Sequence, residues 1–291
     1  MNAPILASPP RRPAGAPCRL ALSGLAAAAL ACAPARAATS VMIWPIDPVI
    51  ESGQRAAALW LENRDTRPVT LQVRVMGWRQ QAGEDVLSAD QDRVAGSPPM
   101  ATVPPGRRQL IRLTRLREAV PGTEQAYRVL IDELPQPRDA GEAADVADAA
   151  DAGGGARQEA PSFGIRFQMR YSIPLFVYGE GVRATAMPDQ RGDAAAARPA
   201  LSWRLDEAGG KRWLAISNRG AVHARVTGAS FETAGSQAVL APGLLGYVLP
   251  GARVRWELPR ELRPDPHARL LATVNGTPGV VLDAEAAGAG Q

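Results

Sequence analysis

The side chains that most often carry reactive chemistry, cysteine and histidine, are scarce in this sequence. Both cysteines, Cys18 and Cys32, fall within the first 37 residues, and the two histidines, His223 and His267, are far apart. Isolated histidines without an HxxxH or carboxylate spacing do not indicate a metal site. His223 falls on a predicted strand, which favours a sheet-surface position over a role as a ligand. We therefore expect no bound metal.

Catalytic motifs are also missing from the sequence. No serine lies in G-x-S-x-G, and no P-loop occurs. The stretch GEGVRA (179–184) matches a loose dinucleotide-binding pattern, but the TAMPDQRGD that follows does not open a helix. The neighbouring carboxylates Asp132 and Glu133 would point to opposite faces of a strand. The sequence therefore predicts that the protein is not an enzyme, has no cofactor, and works through a recognition surface.

The first 37 residues have the order of a secretory signal peptide. Arg11, Arg12 and Arg19 precede an apolar run over residues 20–33, and APARA follows with small residues at the cleavage positions. The run is too short for a spanning helix, and no later stretch is long enough, so no membrane span is expected. We expect cleavage after Ala37 and export; ALAC, ending at Cys32, is a weaker match to a lipoprotein site.

Removal of this leader changes the charge of the chain. The whole sequence has 33 basic and 29 acidic residues, and the leader contains four arginines and no acid. The remaining chain is balanced, with 29 residues of each sign. The basic excess therefore gives no reason to expect binding to nucleic acid or to a membrane surface.

Strand patterns recur along the rest of the chain, separated by Pro, Gly and Asn turns, while helix signals are almost absent. This pattern is typical of an all-β sandwich. Pro45 and Pro48 mark the first strand as an edge strand or one that switches sheets. The Ala-, Asp- and Gly-rich segment 135–161 has little to bury and is interpreted as a disordered loop. We expect a first domain over 38–178 and a second over 179–291.

One stretch, FGIRFQMRYSIPLFVY at 163–178, keeps a period of two for about sixteen residues, roughly three times the usual strand length. Large apolar side chains occupy one parity: Phe163, Ile165, Phe167, Met169, Tyr171, Ile173, Leu175 and Val177. Burial in the domain's own core is the simplest interpretation. The length of the stretch, the size of its residues and the long loop before it favour instead an edge strand to which another chain adds a strand.

Four stretches occur in the order found in one family: WPIDPVIESGQRAAALWLENRDTRPVTLQV, PPGRRQLIRL, YRVLIDELP and RYSIPLFVY. From Ser40 to Tyr178 the chain resembles the periplasmic chaperones of the chaperone–usher pilus pathway (PapD-like), and its WPIDP and LFVYG are nearer to the archaic, CsuC-like branch. The resemblance implies two immunoglobulin-like domains in an L-shaped arrangement. It also implies a periplasmic chaperone that lends a β-strand to pilus subunits and delivers them to an outer-membrane usher.

The resemblance assigns the binding of subunits to alternate residues of the long strand, namely Phe163, Ile165, Phe167, Met169 and Tyr171. The family also holds the terminal carboxylate of the subunit with a basic pair, but its two positions are Asp47 and Pro174 here. Arg128 and Arg170 are candidate substitutes, because arginine pairs well with carboxylates. A solvated strand face is an equally good interpretation of both arginines.

Two rival functions remain at this stage. A structural fibre subunit or secreted β-sandwich module would associate with itself through the same edge, and a secreted hydrolase would need a nucleophile that the sequence does not show. The expected partners are pilus or surface-fibre subunits and an usher. The sequence leaves the oligomeric state of the free protein open, although an exposed apolar strand of this size would favour self-association that covers it.

Overall fold

The computed structural model of the 291-residue chain describes residues 41–135, 168–182, 198–233, 236–265 and 267–285. All the regular secondary structure within these ranges is β-strand, so the all-β prediction is confirmed. No helix among the described residues has the length and apolar character needed to cross a bilayer. The expected signal peptide, nearly all of the expected loop 135–161 and residues 163, 165 and 167 lie outside the described residues.

Ten strands between residues 41 and 178 form two sheets. The strands are β1 (Val41–Trp44), β2 (Val49–Ile50), β3 (Ala56–Asn63), β4 (Val69–Gln81), β5 (Glu84–Ser88), β6 (Val94–Ser97), β7 (Met100–Val103), β8 (Arg108–Arg115), β9 (Glu124–Leu134) and β10 (Arg170–Tyr178). One sheet has the order β1-β3-β8-β6, and the other has the order β2-β10-β9-β4-β5 with β7 beside β4.

The two sheets face each other across one hydrophobic core. Leu59 and Ile111 come from the first sheet, Leu71 and Ile131 come from the second, and all four are fully buried. Alternate residues of each strand point to opposite faces, so the period-two sequence pattern puts one parity into this core. Burial of each such side chain contributes about 1.5–3 kcal/mol.

The chain changes sheet between β1 and β2. β1 pairs with β3 in the first sheet, while β2 runs parallel to β10 in the second sheet. Pro45 and Pro48 lie at the two ends of the connection between these strands, where a proline takes no ladder bond away. The expected switching strand is therefore confirmed.

Seven further strands form the second half of the described chain. They are β11 (Leu201–Ala208), β12 (Lys211–Asn218), β13 (Ala224–Thr233), β14 (Ser236–Val248), β15 (Arg253–Glu257), β16 (Arg269–Val274) and β17 (Thr277–Ala284). Their order is β14-β13-β16-β17-β11-β12-β15. A second core contains Leu214, Ile216, Val226 and Leu270, which come from both ends of this order. The division of the chain at residue 178 stays a prediction.

The hairpin of β4 and β5 reaches the second half of the chain at its turn. Gly83 forms a parallel bridge with Val254, and the Arg255 N–H faces the Gly83 carbonyl at 3.4 Å. Gly83 has a φ of 89°, and a Cβ there would lie 2.9 Å from the Arg255 Nε atom. The left-handed backbone therefore favours glycine at this turn, while a Cβ would require only a shift of the flexible Arg255 side chain.

Candidate functional site

The strand β10 has an open edge over most of its length. On one side it pairs with β9 from Arg170 to Tyr178. On the other side β2 pairs with it only at Phe176 and Val177. Within the described part of the chain, no strand covers the edge between Arg170 and Leu175.

The direction of each backbone group of β10 follows from two hydrogen bonds. The Glu133 N–H donates to the Met169 carbonyl at 3.0 Å, and the Phe176 N–H donates to the Pro48 carbonyl at 3.2 Å. Residues along an antiparallel strand alternate between bonding to the neighbour and facing away from it. Odd-numbered residues of β10 therefore bond to β9, and the even-numbered Arg170, Ser172 and Pro174 present their backbone groups to the open edge.

The side chains of β10 belong to two different surfaces. Leu175 and Val177 are buried in the first hydrophobic core, and Tyr171 and Ile173 are partly buried against it. Burial raises the pKa of Tyr171, although the Val41 backbone N–H near its oxygen acts in the opposite direction. Tyr171, one of the predicted subunit-binding residues, therefore contributes to the protein's own core.

Met169 lies just before β10 and is the other predicted subunit-binding residue that the structure describes. It is 39% exposed, in contrast to the buried residues at the far end of the strand. Phe163, Ile165 and Phe167 lie outside the described residues. The exposure of the odd-numbered apolar side chains therefore increases from Val177 back to Met169.

The guanidinium group of Arg128 is enclosed rather than free. Arg128 lies opposite Pro174 in the β9–β10 register. Its Cζ atom lies 3.7 Å from the centre of the Trp78 ring and 5.4 Å from that of Tyr247, and its Nη2 atom is 3.4 Å from an Asp85 carboxylate oxygen. Burial lowers the pKa of Arg128, an effect that Asp85 opposes.

Arg170 has a more exposed environment. It pairs with Asp132 on β9, and Arg74 on β4 contacts the same carboxylate at 2.7 Å. The Arg170 side chain is 64% exposed. Asp132 lies four residues from Arg128 along β9, which corresponds to about 13 Å on a strand. The structure therefore does not bring the two arginines together as one basic pair.

A third apolar cluster, the interface cluster, joins the two halves of the chain. It consists of Trp78, Phe176, Tyr178, Val182, Val222, Tyr247 and Leu249. Phe176 and Tyr178 are even-numbered residues of β10, so their side chains lie on the face opposite to that of the core residues Leu175 and Val177. The sequence interpretation missed their role, although LFVY (175–178) shows apolar residues on both parities and so indicates a strand buried on both faces.

Polar groups complete this interface on both sides of the cluster. The Gln80 side-chain amide donates to the Tyr247 carbonyl at 2.9 Å and accepts from the Leu249 N–H at 2.8 Å. The fully buried Glu124 carboxylate accepts from the His223 N–H at 3.1 Å and contacts its Nδ1 atom at 2.8 Å. Hydrogen bonds and apolar packing therefore act together to hold the two halves in contact.

His223 differs from its expected sheet-surface position. Its ring stacks on Phe176 with centroids 3.5 Å apart and an interplanar angle of 3°. It precedes β13 and is only 12% exposed, because the second half of the chain folds against Glu124 and Phe176. No group of residues that could hold a metal ion occurs among the described residues.

Comparison with known proteins finds a family match over part of the chain. Residues 48–182 match the family of pili and flagellar-assembly chaperones, PapD N-terminal domain. No curated protein sequence matches the chain.

Solved structures extend the similarity over most of the chain. The CsuC–CsuE chaperone–tip adhesion subunit pre-assembly complex, from archaic chaperone–usher Csu pili of Acinetobacter baumannii, matches with 28% identity and a TM-score of 0.62, covering 85% of this chain and 100% of that chain. The E. coli chaperone DraB matches with 14% identity and a TM-score of 0.51, covering 86% and 98%. The Salmonella enterica SafA pilin–SafB chaperone complex matches with 16% identity and a TM-score of 0.50, covering 85% and 97%.

These matches agree with the fold and confirm the expected resemblance, including that to the archaic branch. The last two structures are below 25% identity and support the shared fold alone. The family match favours a chaperone over the rival fibre subunit. The chain is therefore similar to the PapD-like pilus-assembly chaperones, over residues 48–182 by the family match and along most of its length by the shared β fold.

Proposed function

We propose that this chain acts in the periplasm as a chaperone that donates strand β10 and the residues before it to pilus subunits. The subunit gains a missing strand, stays folded, and is delivered to an outer-membrane usher. The activity is one of binding and needs neither catalysis nor a cofactor. The signal-peptide pattern of residues 1–37 supports export to this compartment.

The observation that carries this proposal is the open edge of β10 between Arg170 and Leu175. Unpaired N–H and C=O groups at a sheet edge are a template for another strand. The strand β10 is anchored to the rest of the protein, because the side chains of Leu175 and Val177 are buried in the core. A fixed strand loses little conformational freedom on binding, which favours its use as a donor.

Side chains before β10 supply the affinity in this proposal. Met169 is exposed, and Phe163, Ile165 and Phe167 continue the same parity in the sequence. Each large apolar side chain that enters a groove of the subunit contributes about 1.5–3 kcal/mol. Four such residues would hold a subunit without energy from a nucleotide.

Arg170 is the better supported of the two candidate carboxylate anchors. The group of Arg74, Asp132 and Arg170 has two positive charges and one negative charge, and Arg170 is exposed. Arg128 is already matched by Asp85 and enclosed by aromatic rings. We therefore expect Arg170→Met to weaken subunit binding about tenfold and to leave folding intact, because Arg74 still pairs with Asp132. Arg128→Met, the matched variant, should mainly reduce the stability of the interface.

Periplasmic co-expression tests the proposed function. The full chain, with its own leader, is expressed with the pilus subunits encoded beside its gene, and periplasmic extracts are separated by size-exclusion chromatography. We expect a one-to-one complex and loss of the subunit when the chaperone is omitted. A subunit that stays soluble alone, or a chain that polymerises with itself, would contradict the proposal and favour a fibre subunit.

A further inference from the structure

Pro174 lies within the open edge of β10, at a position where any other residue would present an N–H outwards. The alternation set by Met169 and Phe176 places the backbone of residue 174 on the open side. Proline has no N–H, so this position offers an incoming strand only its carbonyl oxygen. Ser172, one step earlier on the same side, offers both groups.

The edge beyond Pro174 is occupied by the chain itself. The Phe176 N–H, the next outward donor, is bonded to the Pro48 carbonyl, and β2 pairs with Phe176 and Val177. The described donors of β10 available to a partner are therefore the N–H groups of Arg170 and Ser172. Pro174 separates these open positions from the stretch that β2 covers.

We propose that Pro174 ends the ladder between this chaperone and its subunit, an inference that rests on the proposed function. The subunit strand pairs as far as Ser172, finds no donor at residue 174, and leaves the edge before β2. This stop helps to set the register, because a slip toward β2 would place a subunit carbonyl against the proline ring. A slip by one residue would also turn every side chain of the incoming strand to the opposite face.

Hydrogen exchange on the purified complex tests this inference through the Pro174→Ala variant. The N–H that this substitution adds at residue 174 should exchange rapidly in the free chaperone, because it points to the open edge. In the complex with the subunits encoded beside the gene, we expect its exchange to slow at least about 100-fold as the ladder gains a bond. An added amide that stays rapid in the complex, or one that is already slow in the free chaperone, overturns the inference.

The Ser172 amide of the same sample separates this inference from the proposed function. Slow exchange at Ser172 in the complex with rapid exchange at residue 174 means that strand pairing occurs but that the proline does not end it. Rapid exchange at Ser172 in the complex means that the edge is not used, and the proposed function itself then fails.

Two proline variants provide a matched control. Ser172→Pro removes an outward donor, so the free chaperone should fold normally and bind the subunit about tenfold more weakly. Ile173→Pro removes a donor that faces β9 and should instead destabilise the chaperone. Unchanged subunit affinity for Ser172→Pro would contradict pairing as far as Ser172.

Discussion

The side chain of Gln80 forms hydrogen bonds across the contact between the two halves of the chain, and their contribution to stability can be tested directly. Its side-chain nitrogen donates to the Tyr247 carbonyl at 2.9 Å and to an Asp85 carboxylate oxygen at 2.9 Å, and its oxygen accepts from the Leu249 N–H at 2.8 Å. The Gln80→Ala variant removes all three hydrogen bonds. Tyr247 and Leu249 are 8% and 6% exposed, so water replaces the lost partners poorly.

The expected loss of stability is about 2–3 kcal/mol. The two bonds to the β14 end of the interface contribute about 1 kcal/mol each, which gives about 2 kcal/mol, and poor replacement of the lost partners by water raises the loss to about 3 kcal/mol. The bond to Asp85 adds little, because that carboxylate is 45% exposed and can bind water. With an m-value of about 3 kcal/mol/M, the urea midpoint should fall by about 0.7–1 M.

Urea unfolding followed by tryptophan fluorescence measures this effect, because Trp78 lies in the interface cluster. Gln81→Ala, at the neighbouring exposed position, is the control and should change stability by less than about 0.5 kcal/mol. If Gln80→Ala behaved like Gln81→Ala, the polar part of the interface would not contribute to stability. If the fluorescence change split into two transitions, the bond would instead couple the unfolding of the two halves.

Three further outcomes are expected. Phe167→Arg should abolish co-purification of subunits while the circular dichroism and thermal midpoint stay unchanged; loss of folding would show that Phe167 belongs to the chaperone's own core. Phe176→Ala should cost about 3–5 kcal/mol in urea unfolding, because its fully buried ring lies between three other rings, and a loss below about 1 kcal/mol would contradict this packing. Burial alone would raise the pKa of Asp132, but hydrogen bonds from Arg170 and Arg74 lower it overall. Its stabilising effect is therefore present above its ordinary pKa of about 3.9 and is lost as the pH falls through the lower folded value. Asp132→Asn should destabilise the protein at pH 7, and the difference from wild type should shrink at pH 2; a difference that stays constant between these pH values would refute the assignment.

Much of the fold could be predicted because it depends on local patterns. Alternation of apolar residues identified the strands, and Pro45 and Pro48 indicated the point where the chain changes sheet. The long series of alternate apolar residues that ends at Val177 marked β10 as unusual from the sequence alone. Side-chain alternation along a strand and the missing N–H of proline are local properties of the residues, and they do not depend on where the chain places them.

The candidate site was only partly predictable for the opposite reason. The sequence suggested that Arg128 and Arg170 were equivalent, but β5 and the aromatic rings enclose Arg128, while Arg170 stays exposed. His223 looked like a surface residue until the second half of the chain brought it against Glu124 and Phe176. The Arg128–Asp85 and His223–Glu124 contacts join residues 43 and 99 positions apart and leave no local periodicity to detect.

The sequence by itself determined an all-β chain with a strand whose two parities differ, and it determined that residue 174 has no N–H to donate. Only the tertiary structure decided which side of β10 is open. That decision depends on β9 taking the odd-numbered backbone groups and on β2 covering the edge from Phe176 onward. A missing donor at Pro174 affects binding only if it faces an edge that no other strand covers, and strand neighbours are set by the packing of the whole chain.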